Sequence, residues 1–176
     1  MINKETTIKK DIIYSGKIVT LELHEVKTDL GNQSRREIIR HAAGVVILGY
    51  TDQNRMILLR QFRKPFEEAV LDLPAGTLEA GEDPLDTARR EFQEETGYYP
   101  GSMEFLGEAL TSPGYSDEVL YIYRAKDLRE DPLDGDADES FEYFEMTPEE
   151  VTACIRSGEL KDAKSLCALY LDGLMR

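Results

Sequence analysis

A chain of 176 residues, 41% hydrophobic and 32% charged, is the size of one domain with a small appendage and carries enough apolar side chain for a real core. Its net charge of −14 comes with no basic stripe of the kind nucleic-acid binding needs, and no apolar run reaches the length of a membrane span. The opening MINKETTIKKD lacks the apolar segment of a secretory signal, and Cys154 and Cys167 sit among apolar residues where buried free thiols are expected. A cytoplasmic protein is the expectation.

Residues 6–40 read as β structure: TTIKKDIIYS, KIVTLELHEVKT and SRREIIRH, with turns at Gly16-Lys17 and Leu30-Gly31-Asn32. AGVVILGY (43–50) and MILLRQFR (56–63) are continuous apolar runs, expected as central strands covered on both faces and joined by a turn at Asp52-Gln53-Asn54. The clearest helix runs from Asp83 to Thr96. Asp83 is its N-cap, Pro84 takes the first position, where a missing donor costs nothing, and Gly97 stops it. Leu85, Ala88 and Phe92 recur at helical spacing and face the core. Strands are expected near 103–110, 118–125 and 141–146. Thr147-Pro148-Glu149-Glu150 then forms a capping box for a helix ending at Gly158, and a last helix runs from Asp162 to Leu174. Strands before and between helices imply an α/β sandwich with a mixed sheet.

Chemistry concentrates on the helix after Pro84. At 100° per residue, Glu91, Glu94 and Glu95 fall within one arc of about 100°. That arc adjoins the Leu85-Ala88-Phe92 face, and a tight glycine-containing segment, LPAGTLEAGED, leads into it. Two readings fit this geometry: a solvated acidic face, or a site for a hard divalent cation, which takes oxygen ligands. Glycine would let the backbone near Ala75-Gly76 curl toward such a site and offer a carbonyl.

Residues 76–98, GTLEAGEDPLDTARREFQEETGY, resemble the Nudix box, G-x5-E-x7-R-E-U-x-E-E-x-G-U, where U is bulky and apolar. Gly76, Glu82, Arg90, Glu91, Phe92, Glu94, Glu95 and Gly97 fill its fixed places, and Tyr98 stands where an aliphatic residue is more usual. The resemblance implies a Nudix α/β/α sandwich with a mixed sheet plus a small N-terminal β extension, divided as 1–41 (dimerisation and substrate contacts) and 42–176 (the hydrolase domain). It implies a Mg²⁺-dependent pyrophosphohydrolase, with Mn²⁺ as the alternative metal. By position, Glu91, Glu94, Glu95 and the carbonyl of Ala75 would hold metal, Arg90 would orient the glutamates, and Glu82 would reach in from the loop. RREIIRHAAGVVIL, LLRQFRKP, LDLPAG, TSPGYSDE with its Pro113, and LKDAKSLCALYL make the chain look like the ADP-ribose pyrophosphatase branch. That branch implies cleavage of ADP-ribose to AMP and ribose 5-phosphate. A nucleotide sugar, FAD or NADH is the alternative substrate, and a non-catalytic nucleotide sensor is the alternative class.

In similar enzymes the catalytic base comes from an acidic loop before the last strand, here DGDADESFE, where Glu139 is favoured over Asp136, Asp138 and Glu142. Arg36, Arg60 and Arg63 are candidates for the anionic or adenine part of the substrate, with surface ion pairs as the competing role. By resemblance, Glu118 would hold the terminal ribose. His24 and His41 read as structural, and Tyr98, Tyr99 and Tyr115 as packing residues with base stacking as the alternative. The N-terminal strands are too small to stand alone, and in the resembling enzymes such strands pair across a two-fold homodimer.

Overall fold

The computed structural model describes residues 4–133 and 140–175, and these divide into two compact units. One comprises the chain up to Ala43 together with Leu110–Val119. The TSPGYSDE loop therefore clusters with the N-terminal strands and not with the rest of the stretch after residue 42. The other unit comprises Gly44–Ala109 and the chain from Leu120 onward.

The first unit is an antiparallel sheet in the order β1 (Glu5–Ser15), β2 (Val19–Thr28), β3 (Gln33–His41). Its turns form where glycine permits them. Gly16 N–H donates to Val19 O at 2.9 Å, and Gly31, at φ 84°, donates to Thr28 O at 2.9 Å. Glu22, His24 and Val26 alternate along β2 and are buried on one face. The loop after Leu110 is tied to β3: Ile39 N–H donates to Tyr115 O at 2.7 Å, and Asp117 N–H donates to Ile39 O at 3.2 Å.

The second unit holds two sheets and three helices. β4 (Gly44–Gly49) lies between β7 (Ala75–Thr77), antiparallel, and β9 (Val119–Glu130), parallel, with β8 (Tyr98–Leu110) beyond β9. This sheet is mixed, as expected. A second sheet runs β10 (Glu142–Met146), β5 (Met56–Arg63), β6 (Glu68–Asp72), all antiparallel. The turn at 52–54 forms, with Asn54 at φ 57°. It does not close a hairpin, however: β4 and β5 enter different sheets and share one bridge, Tyr50 to Met56. β4 is buried throughout, whereas β5 is fully buried only from Met56 to Leu59 and then runs out to Phe62, which is 57% exposed. β6 and β7 were not expected as strands, and β8 begins at Tyr98, directly after the glycine that ends the first helix.

Alternation along β4 organises the core. Val45 and Ile47 pack with Ala88 and Phe92 of α1 (Pro84–Thr96), and Val46 and Leu48 pack with Ala168 and Leu169 of α3 (Ala163–Asp172). The two helices thus cover opposite faces of the strand. Complete burial of Phe92 stabilises this seating by about 1.5–3 kcal/mol. Gly49 makes room for its ring, since a Cβ there would lie 2.4 Å from Phe92 Cζ.

The caps form as read. Asp83 accepts from Leu85 N–H, Pro84 opens α1, and Gly97 closes it at φ 77°. Thr147 and Glu150 make the reciprocal capping box of α2 (Pro148–Ser157), which Gly158 ends. The last helix is shorter at both ends than expected: Asp162 is the N-cap of α3 and not part of it, and the helix stops at Asp172, short of Leu174, because Gly173 turns left-handed at φ 94°. Cys154 and Cys167 are free but only partly buried, and the Cys154 thiol lies 3.6 Å from Glu159. Among the described residues no helix is long and apolar enough to cross a membrane.

Candidate active site

The capped first turn of α1 and the seating of Phe92 set the rotation of the helix, and that rotation places Arg90, Glu91, Glu94 and Glu95 along one partly buried edge. Arg90 is the hub. Its Nε and Nη2 donate to the two carboxylate oxygens of Glu82 at 3.1 and 3.2 Å, a bidentate pair. Its Nη1 lies 3.0 Å from Glu91 Oε1 and donates to Glu94 Oε2 at 3.0 Å. One guanidinium thus holds three carboxylates, a geometry that the planar fork of arginine permits and the single ammonium of lysine does not. The Arg90 hydrogen bonds hold the Glu82 carboxyl down at about 2, with help from the Glu79 amide. Glu82 in turn raises the Arg90 guanidinium above its ordinary value.

The strand β7 closes the edge. Ala75 N–H donates to Glu95 Oε2 at 2.9 Å. Gly76 lies flush against Glu91: a Cβ at that position would stand 1.9 Å from Glu91 Cδ. The glycine supplies space, not a special turn, since its φ is not positive. Ala75, Gly76, Glu82, Arg90, Glu91, Glu94 and Glu95 therefore meet at one place, although up to 20 residues separate them in sequence.

This donor set suits a hard divalent ion. Glu91 and Glu95 stand beside the Ala75-Gly76 backbone, and Glu94 is held by the same Arg90 guanidinium as Glu91. Among the described residues no group of three or more His, Cys, Asp and Glu side chains is placed to hold a metal ion by itself. Magnesium ordinarily takes one or two carboxylates and completes its shell with waters and substrate phosphate oxygens, so an open arrangement fits it.

The other described candidates make contacts within their own units. Arg60 on β5 pairs with Glu159 and Glu142 and stands over the Phe144 ring at 5.0 Å. Arg63, at the end of β5, donates to Asp72 Oδ2 at 2.6 Å and lines a cleft of about 610 Å³ with Phe66, Lys161 and Lys164. In the N-terminal unit, Arg36 pairs with Glu5 and shares a cleft of about 460 Å³ with Arg35, Glu37 and Tyr115. Arg35 had no signal separating it from any surface arginine. Tyr115 is 58% exposed there, so its ring is not core packing. Glu118 lies 3.5 Å from His41, and His24 is bound to Glu22 at 2.9 Å, which gives both histidines carboxylate partners. Glu139, with Asp136 and Asp138, lies outside the described residues; Glu142 opens β10, exposed.

The sequence model of the NUDIX domain matches residues 39–168. The chain belongs to the Nudix family, and it is a pyrophosphohydrolase of that family. It is 40% identical to a methanol dehydrogenase activator from Bacillus methanolicus, with 94% of this chain and 91% of that one covered. It is 39% identical, over the same shares, to an ADP-ribose pyrophosphatase from Bacillus subtilis. The fold is that of a solved ADP compounds hydrolase, at TM-score 0.88 and 24% identity over 96% of this chain and 91% of that one.

Proposed function

We propose that this protein hydrolyses the pyrophosphate of ADP-ribose, giving AMP and ribose 5-phosphate, with Mg²⁺ as its metal. The observation that carries the reading is the arginine-centred carboxylate cluster packed against Gly76, in a chain 39% identical to an ADP-ribose pyrophosphatase. Glu91, Glu94, Glu95 and the Ala75 carbonyl would hold the metal. When bound, such an ion neutralises phosphate charge and lowers the pKa of a coordinated water. The chain's own part is positioning. Arg90 keeps Glu82, Glu91 and Glu94 in register, the Ala75 amide fixes Glu95, and Phe92 anchors the helix that carries Arg90, Glu91, Glu94 and Glu95.

The net reaction adds water across one P–O–P linkage: an oxygen–phosphorus bond forms to one phosphorus, and the bridging oxygen leaves with the other. Phosphoryl transfer of this kind depends on orientation and charge neutralisation more than on covalent participation. Glu139 would accept the proton of the attacking water, and Arg36, Arg63 and Glu118 would contact substrate. Arg60 is the weakest of the substrate candidates, because two carboxylates already occupy it.

Homodimerisation through the N-terminal strands is part of the same reading. β1 is an edge strand, and Ile8, Ile12, Ile13 and Tyr14 on it are 55–62% exposed. Edges this apolar are normally covered. Free, partly buried thiols fit a cytoplasmic setting.

The test is a product-release screen, coupled to alkaline phosphatase, over ADP-ribose, nucleotide sugars, NADH and FAD, with Mg²⁺ and with EDTA. ADP-ribose should give the highest kcat/KM and EDTA should abolish it; a nucleotide sugar preferred tenfold would overturn the substrate. The 40% identity to a methanol dehydrogenase activator favours a second reading, in which the protein stimulates such an enzyme. Dehydrogenase turnover measured with and without the protein tests that directly.

A further inference from the structure

The segment Asp72-Leu73-Pro74-Ala75-Gly76 joins β6 to β7 and brings the backbone to the glutamates. Every residue in it is tied down. Asp72, 1% exposed, accepts from Arg63 at 2.6 Å and from Lys164 at 2.8 Å on the same carboxylate oxygen, Oδ2. Leu73 N–H donates to Ser165 Oγ at 2.9 Å. Pro74 O accepts from Ile47 N–H at 2.9 Å, Ala75 N–H donates to Glu95 at 2.9 Å, and Gly76 abuts Glu91.

Two of these ties come from the first turn of α3, on the face of β4 opposite α1. Ser165 is completely buried and its hydroxyl is fully used: it accepts from Leu73 and donates to Asp162 Oδ2 at 2.7 Å. Asp162 also takes the Ser165 amide at 2.9 Å and the Lys164 ammonium at 2.9 Å. Capping α3 requires only Asp162. Beyond bracing that capping carboxylate, the Lys164 and Ser165 side chains both reach out to the segment two and three residues before Ala75.

We propose that Asp162, Lys164 and Ser165 act with Asp72 as a positioning clamp for the metal site, holding the 72–76 backbone so that Glu95 and Glu91 are presented in one geometry. The clamp rests on the reading of Glu91 and Glu95 as metal ligands. Partners that orient metal ligands typically matter about 10–100-fold in affinity or activity. Loss of the Ser165 hydroxyl frees the Leu73 amide, and the displacement passes through two peptide units to the Ala75–Glu95 bond.

The test uses the full chain, with Ser165→Ala, Lys164→Met and Glu95→Gln. Binding of Mn²⁺ alone is followed by the loss of free-ion EPR signal, beside kcat and KM for ADP-ribose and the thermal midpoint. Ser165→Ala and Lys164→Met should each weaken Mn²⁺ by about tenfold and lower kcat, with KM changed less than threefold. Ser165→Ala deletes one oxygen and carries the test if Lys164→Met does not fold. A lower thermal midpoint with wild-type Mn²⁺ affinity and turnover would make the network structural only and overturn the clamp. Glu95→Gln separates the two layers of the argument. If it too binds Mn²⁺ like wild type, the ligand assignment has failed; if it alone loses Mn²⁺, the clamp has failed and the ligand assignment stands.

Discussion

Gly76→Ala asks how tightly the backbone of β7 and the side chain of Glu91 are fitted. The added methyl carbon would stand 1.9 Å from Glu91 Cδ, 2.2 Å from Cγ and 2.3 Å from Oε1, where ordinary contact begins at 3.4 Å. The carboxyl carbon must therefore retreat by about 3.4 − 1.9 = 1.5 Å. Glu91 is not fully enclosed, with 17% of its side chain exposed, so it can swing aside without rupturing the core. Overpacking of this kind costs about 1–3 kcal/mol in stability, of which the low end applies to a side chain with a free direction. In a chain of this size about 1 kcal/mol lowers Tm by about 2–4 °C. The effect on catalysis should be far larger, because a misplacement of about 1 Å costs on the order of 10²-fold in rate. Steady-state kinetics on ADP-ribose at saturating Mg²⁺, with a thermal melt alongside, should show kcat down about 10²-fold and a melt shifted by only a few degrees. A variant within threefold of wild-type kcat would refute the close fit of Gly76 and Glu91 as a catalytic requirement.

Acid should loosen the N-terminal sheet through Glu22, whose carboxyl is held down at about 2 from 4.5 by hydrogen bonds from Lys10, His24 and Arg40. A depressed carboxyl contributes stability that is present above pH 4.5 and lost as pH falls toward 2, so melts across that window should flatten in Glu22→Gln; an unchanged slope would remove Glu22 as the cause. Glu139→Gln should keep KM and lower kcat by about 10²–10⁴-fold, the usual contribution of a general base, and a fully active variant would move the search to Asp136, Asp138 and Glu142. Deleting residues 1–41 should abolish dimerisation in sedimentation velocity and raise KM while Mn²⁺ binding persists. A truncated chain that stays dimeric and active would end the role of residues 1–41 in dimerisation and substrate contacts.

Much of this molecule was determined locally. The caps at Asp83, Thr147 and Asp162, and the stops at Gly97 and Gly158, depend on contacts within about four residues, and all form as their residues dictate. The arc of Glu91, Glu94 and Glu95 follows from helical pitch alone, and alternation placed Glu22, His24 and Val26 on one face of β2. Only the tertiary structure decided which strands share a sheet. The apolar runs of β4 and β5 carry no mark of belonging to different sheets, because pairing depends on partners far along the chain. β7 is three residues long and exists because Ala75, Gly76 and Thr77 pair with Val46, Val45 and Gly44 of β4. The ties of Asp72 to Lys164 and of Leu73 to Ser165 span 92 residues each, beyond any local pattern. Arg60 and Arg63 look alike on one strand, and folding alone gives them Glu159 and Asp72 as separate partners. Residue type and helical spacing announce the carboxylates, but their arrangement as a site requires a backbone segment that a distant helix holds in place.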